Sequence, residues 1–148
     1  MKRTFSIGGV HPADNKISRG CAIEVLPTPP TVYISVSQHI GAPAKPIVAV
    51  GDKVLTGQPV AEPGGFVSAY IHSSVSGTVK SIGPRKDLAG NMQTCIEIAV
   101  EGDEWAEGID TTDTLITDFT DDNKVIMDKI KLGGIVGLGG ATFPTHVK

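Results

Sequence analysis

The sequence predicts a mainly β fold, a compact β-sandwich or small barrel with one helix after it, and three observations carry that expectation. Apolar and polar residues alternate between Ala22 and Val100, turn-forming residues recur every few positions in the same stretch, and helical signals appear only from Thr120 onward. Of the 148 residues 40% are hydrophobic but only 5% aromatic, so the core must be assembled from Val, Ile, Leu and Ala.

Val32, Ile34 and Val36 alternate with Tyr33 and Ser35, the period of a strand with one buried face. Gly51-Asp52, Gly57, Pro63-Gly64-Gly65, Ser76-Gly77 and Gly90-Asn91 supply turns between short strands that fold over each other. Met92 to Val100 closes the series and places Ile96, Ile98 and Val100 on one face.

The chain then becomes acidic. Ten of its sixteen acids lie between Glu101 and Asp128, with Lys124 the only base among them, which reads as a solvated linker. Thr120 is positioned to cap a helix carrying Asp121 and Asp122 in its first turn and Lys129 and Lys131 in its last, an order of charge that complements the helix dipole. Ile126 and Ile130 would share a face, and Gly133-Gly134 supplies a left-handed stop. The expected organisation is a β domain over 1–100, an acidic linker over 101–119, and a helix with a glycine-rich loop over 120–148.

A formal net charge of −3 without a basic stripe argues against nucleic acid as a partner, because binding there rests on displacing counterions from phosphate. Cys21 and Cys95 lack the CxxC spacing of thiolate metal sites and iron–sulfur clusters, and two unpaired thiols suit a reducing compartment. Met1-Lys2-Arg3 is basic like the start of a signal peptide, but Gly8-Gly9 intervenes before any apolar stretch develops. The longest apolar run, Ile47 to Val50, is far too short to cross a bilayer, so membrane association is expected only through a partner. His39 and His72 have no acidic or cysteine partner at ligand spacing, so each reads as a turn or core histidine bonded to backbone rather than a metal ligand. His11 and His146 offer no better case, and no catalytic residue or metal site emerges.

Val50-Gly51-Asp52-Lys53-Val54, Gly57-Gln58-Pro59-Val60 and Ser76-Gly77-Thr78-Val79 resemble the lipoyl and biotinyl carrier domains, which are barrel-sandwich hybrids. A carrier needs a lysine at the hairpin tip between its halves, because the prosthetic group is an amide on that side chain. The tip here reads Glu62-Pro63-Gly64-Gly65-Phe66-Val67-Ser68, and the nearest lysines are Lys53 and Lys80, so the fold is expected without the carrier chemistry.

The other candidate lies at Gly137-Leu138-Gly139-Gly140-Ala141-Thr142-Phe143-Pro144-Thr145. It follows a helix, whereas a dinucleotide-binding loop follows a strand and has different glycine spacing, so the match to that motif is poor. Glycines in series still let backbone N–H groups converge on an anion. Pro144 suits the first position of a new helix, and Lys148, four residues on, would share its face and reach back towards a phosphate.

The run from Gly137 to Lys148 resembles the flavin-binding signature of the C subunit of Rnf-type ion-translocating electron transport complexes. It is more distantly similar to that of the NADH-oxidising flavoprotein subunit of respiratory complex I. Three further blocks resemble the same Rnf protein: Phe5-Ser6-Ile7-Gly8-Gly9-Val10-His11-Pro12, Ser37-Gln38-His39-Ile40-Gly41-Ala42-Pro43-Ala44-Lys45-Pro46, and Gly65-Phe66-Val67-Ser68. The resemblance covers nearly the whole chain, least informatively from about Glu101 to Asp121.

That resemblance implies a barrel-sandwich hybrid domain followed by a linker, one helix and the start of an α/β domain for NADH and FMN. A β-grasp-like domain and a ferredoxin-like segment with two [4Fe-4S] clusters would lie further on, beyond the 148 residues. It implies electron exchange between NADH and ferredoxin coupled to movement of sodium ions or protons. The other subunits of the Rnf membrane complex would be the partners, and the location would be peripheral, on the cytoplasmic side of the bacterial inner membrane. Carried over by position, Gly137, Gly139, Gly140 and Ala141 would line the flavin phosphate, Phe143 and Pro144 would set the following helix, and Lys148 would supply charge. Thr142 stands where the complex I protein has glycine. A site only begun is expected to bind no cofactor and to leave the 148-residue piece inactive. The alternative from another class is that the β domain is a cofactor-free docking module for membrane partner subunits. A further reading, the A subunit of the related sodium-pumping quinone reductase, shares a barrel-sandwich start but lacks the Phe143 to Lys148 block.

Overall fold

The structure, a computed structural model, describes residues 12–87, 89–118 and 122–148. Among these residues seven strands form two sheets: β1 (Thr31–Ser35), β2 (Lys45–Pro46), β3 (Lys53–Val54), β4 (Pro59–Glu62), β5 (Ile71–His72), β6 (Ser76–Lys86) and β7 (Met92–Gly102). One sheet has the order β1-β7-β6-β3 and the other β2-β4-β5, with every pairing antiparallel. One helix, α1 (Asn123–Leu132), and a single 3-10 turn (Thr145–Val147) follow.

Both sheets contribute to one core. Ile34 of β1, Val54 of β3, Val60 and Ala61 of β4, Ile71 of β5, Val79 of β6, and Ile96 and Ile98 of β7 form a single buried cluster. Val60, Val79, Ile96 and Ile98 are all 0% exposed, and burying such side chains stabilises by about 1.5–3 kcal/mol each. The alternation expected around Ile34 and Val36 and from Ile96 to Val100 is therefore the alternation of a wall facing this core, with Val32 and Val100 packed at its margin.

Four expectations need correction. No described strand precedes Thr31, although alternation begins at Ala22; residues 12–30 are exposed throughout, and Pro27, Pro29 and Pro30 withhold the donors a ladder needs. Ser76-Gly77 is not a turn but the bulged start of β6, where the register against β7 shifts. The physical need at Gly77 is close approach, since a Cβ there would lie 2.0 Å from the Ala99 carbonyl oxygen. β7 runs to Gly102, and the acidic stretch begins attached rather than free: Trp105 bridges Thr56, and the Ile109 side chain lies against Gly57. Lastly, Asp122 is not in the first turn of α1 but caps it, accepting from the Lys124 and Val125 N–H groups, and the first turn holds no acid. Thr120 and Asp121, like the block from Phe5 to His11, lie outside the described residues.

The other end of α1 forms as expected, with Lys129 and Lys131 in the last turn. The left-handed residue of the stop is Gly134, at φ +64, while Gly133 stays right-handed at φ −67.

Candidate functional site

Three of the blocks that carry the family resemblance meet at one rim of the β unit. The loop after β1 and the loop between β4 and β5 are interlocked: Ala42 N–H donates to the Val67 carbonyl at 3.0 Å, and Gly64 N–H donates to the Ser68 hydroxyl at 3.0 Å. Ser68 itself is fully buried. The contact works only without side chains at its crossing points, since a Cβ on Gly41 would sit 2.1 Å from the Val67 carbonyl oxygen and one on Gly64 2.0 Å from that of Pro43. The tip that carries lysine in a carrier is thus backbone pressed on backbone, with Phe66 exposed outside it.

His39 belongs to this lock. Its Nε2 faces the Ala69 N–H at 3.1 Å and accepts from it, which leaves Nδ1 to donate to the Ile40 carbonyl at 3.0 Å. Both ring nitrogens are spent on backbone, as the sequence suggested. His72, on β5, lies partly buried and hydrogen-bonds the main chain of Leu132 at the end of α1. Burial holds its pKa below the ordinary histidine value, and the Leu132 bond opposes that shift.

The third block is seated on this rim. Gly134 approaches so closely that a Cβ there would lie 2.4 Å from the Tyr70 carbonyl oxygen. Past Gly134, Val136 and Pro144 form an antiparallel bridge, closed by Gly137 N–H to the Phe143 carbonyl at 3.0 Å and Thr145 N–H to the Ile135 carbonyl at 2.9 Å. His146 follows; burial is the main cause of its lowered pKa, with the Lys131 charge next, and His39 lies nearby. Its Nδ1 is buried and has no hydrogen-bond partner among the described residues.

Between the two arms of that bridge stands the glycine-rich loop. Gly139, Gly140 and Ala141 are exposed, and a Cβ placed on Gly139 or Gly140 would meet nothing within 4 Å. The tip forms a turn over residues 138–141, and among the described residues no main-chain hydrogen bond of good geometry engages the N–H groups of residues 138–143, so a run of backbone donors is exposed at the tip. Gly137 differs from its neighbours, because its N–H is used to close the base. Thr142 adopts φ +51, the left-handed region that favours glycine, at the position where the sequence departs from the complex I pattern.

The expected helix after the loop is a one-turn 3-10 segment. Pro144 is fully buried and precedes it with ψ 120, outside helical geometry, so it caps the turn instead of occupying its first position. The turn ends at Val147, so no helix runs from Pro144 to Lys148 to put the two on one face. Lys148 is exposed.

The sequence did not single out Gly134 as a packing residue, nor Tyr70 and Lys131 as part of this seat, since contacts between distant segments leave no local pattern. It also missed a polar network on the outer sheet face, where the Arg85 guanidinium lies 3.4 Å from the centre of the Tyr33 ring. Glu97 there accepts from Ser81 at 2.6 Å and Tyr33 at 3.3 Å, and the Ser81 bond is the main cause of its lowered pKa. A cavity of about 540 Å³ beside Tyr33, Ser35, Arg85 and Gln93 includes none of the predicted site residues.

A two-sheet β unit with a glycine-rich loop seated on its rim and no lysine at its hairpin tip defines a barrel-sandwich protein. Residues 4–103 match the model of the RnfC barrel sandwich hybrid domain, and the chain belongs to that family. It is 45% identical over 150 residues to the C subunit of the proton-translocating ferredoxin:NAD(+) oxidoreductase complex of Clostridium ljungdahlii, a match covering 100% of this chain and 32% of that protein. The C subunit of the Na(+)-translocating ferredoxin:NAD(+) oxidoreductase complex of Acetobacterium woodii is 43% identical over 146 residues, covering 95% of this chain and 32% of the relative. The C subunit of the ion-translocating oxidoreductase complex of Pseudomonas aeruginosa is 39% identical over 141 residues, covering 93% and 18%. The chain therefore spans a third or less of the length of these relatives. No helix among the described residues is long and apolar enough to cross a membrane.

Proposed function

We propose that the chain is the N-terminal part of an electron-transfer subunit that passes electrons between NADH and ferredoxin in an ion-translocating membrane complex, and that its glycine-rich loop holds the phosphate of a flavin. The observation that carries this reading is the open run of N–H donors from Leu138 to Phe143, with glycines at 139 and 140 that leave space for close approach. The relatives named as ferredoxin:NAD(+) oxidoreductase subunits supply the direction of the chemistry.

In this reading the flavin, when bound, supplies hydride acceptance and single-electron transfer. The chain's own part is narrower. Gly137 closes the loop, Gly139, Gly140 and Ala141 present backbone donors, Phe143 and Pro144 anchor the returning arm, and Lys148 contributes positive charge near the site. The α1 seat holds the loop against the β unit, so that a phosphate meets donors already in place. FMN, the two [4Fe-4S] clusters, the NADH and ferredoxin sites and the contacts with other subunits of the complex belong to the full-length protein, which would sit peripherally on the cytoplasmic side of the membrane. The 148-residue piece itself would be inactive and bind no cofactor.

The test is flavin content of the purified full-length protein. Gly140→Val places a branched side chain over the donors and is expected to lower FMN affinity at least tenfold, while Thr142→Gly, which relieves the left-handed threonine, leaves affinity equal or higher. Full flavin occupancy in Gly140→Val would overturn the phosphate site. Unchanged affinity in Lys148→Ala would remove that lysine from it without touching the backbone reading.

A further inference from the structure

The segment before β1 carries apolar side chains that nothing among the described residues covers. Ile23 is 100% exposed, Val25 93% and Leu26 83%, in a stretch without regular secondary structure where the period of a strand would place Cys21, Ile23 and Val25 on one side and Ala22, Glu24 and Leu26 on the other. Among the described residues no hydrogen bond engages the backbone of 22–29. Preceding it is a turn over 17–20, tied by Arg19 N–H to the Lys16 carbonyl at 3.1 Å and Cys21 N–H to the Ser18 carbonyl at 3.1 Å. Following it, the Pro30 carbonyl accepts from Val100 N–H at 3.0 Å, so the stretch is held at one end against the β unit and projects from it.

Free β-strand pattern, free backbone donors and a fixed exit are the properties of a strand that is added to another sheet. Its polar boundaries agree, because Pro27, Pro29 and Pro30 would end the ladder after Leu26. The segment lies inside the region matched by the family model, so it is part of the domain and not an appendage to it. The relatives have about two thirds of their length beyond the match to this chain.

We propose that Cys21–Leu26 is an intrachain strap: in the full-length protein it adds as a strand to an open sheet edge in the part of the polypeptide beyond this chain, with Ile23 and Val25 entering apolar pockets about 7 Å apart, the spacing of alternate residues. The strap would tie the β unit to the rest of the polypeptide independently of the α1 seat. It goes beyond the proposed electron-transfer role and does not depend on flavin binding.

Hydrogen exchange on the isolated full-length protein tests this. The amides of Ile23 and Val25, or those of Ala22 and Glu24 if the opposite edge pairs, should be protected at least a hundredfold over an unstructured peptide. In Ile23→Asp/Val25→Asp that protection should vanish and trypsin should cut after Arg19 at least tenfold faster, while the β-unit melting transition, whose core these exposed residues do not touch, stays in place. Unprotected 21–26 amides in the wild-type protein would overturn the strap. So would protection that appears only in the assembled complex, which would assign the segment to a different polypeptide, or protection that rises with protein concentration, which would assign it to a second copy.

Discussion

The β unit over 31–102 and the C-terminal segment over 122–148 are held together by different physics. The first encloses a continuous aliphatic core, with Ile96 and Ile98 at 0% exposure. The second has no buried residue in its helix; only Ile126, Ile130 and Lys131 are partly covered, and the segment is fastened by backbone contacts at Gly134, the His72 bond to Leu132, and buried Pro144. Hydrophobic burial is non-directional and sums over area, so the β unit has a large reserve of stability, whereas the segment rests on a few close approaches that single atoms can spoil. The loop proposed to hold a phosphate stands on the second of the two.

The contrast makes graded predictions. Ile98→Ala removes a fully buried side chain from the shared core and should cost about 2–5 kcal/mol in chemical denaturation, moving both regions together because the segment has no core of its own. Survival of α1 protection after the β unit has unfolded would break the comparison.

Gly134→Ala should separate the regions instead. The added Cβ meets the Tyr70 carbonyl oxygen at 2.4 Å in a left-handed backbone, so amide exchange along α1 should rise roughly tenfold, an opening about 1.4 kcal/mol easier, while the main melting transition persists. Loss of the whole transition would show that the segment is integral to the β unit.

The smallest effect should be that of pH. His72 and His146 both have lowered native pKa values, chiefly through burial, so below the ordinary value near 6.5 the unfolded chain binds protons that the folded one does not. Their contribution to stability is complete above that value and declines as the pH falls through it. Tryptic cutting within the segment should accelerate between pH 7.5 and 5.5, corrected for the protease's own pH response, and His72→Gln, which keeps a donor for the Leu132 carbonyl, should flatten that dependence. An equal slope in the variant would remove His72 from the seat.

Much of the β unit was legible in the sequence because a wall facing one core repeats every two residues, and Ile34, Val36, Ile96 and Ile98 display that period openly. The start and stop of α1 were legible within two residues for a similarly local reason, though the cap proved to be Asp122. Gly77 shows where local reading stops. A glycine required for φ > 0 and one required for close strand approach look the same in sequence, and only the Ala99 carbonyl opposite distinguishes them. Ile23 and Val25 show a second limit, since alternation announces a strand but not what it pairs with.

By itself the sequence determined the class of the fold, the absence of a carrier lysine at the tip, the family resemblance and the position of the glycine-rich run, all properties of residues close together along the chain. Only the tertiary structure decided that three of the resembling blocks form one rim, that Gly137 closes the loop while residues 138–143 keep their donors open, that Thr142 bears a glycine-like conformation, and that Lys148 leaves the face expected for it. Those outcomes depend on contacts between segments tens of residues apart and on whether the last turn winds with three residues or 3.6, and neither is encoded in a local pattern.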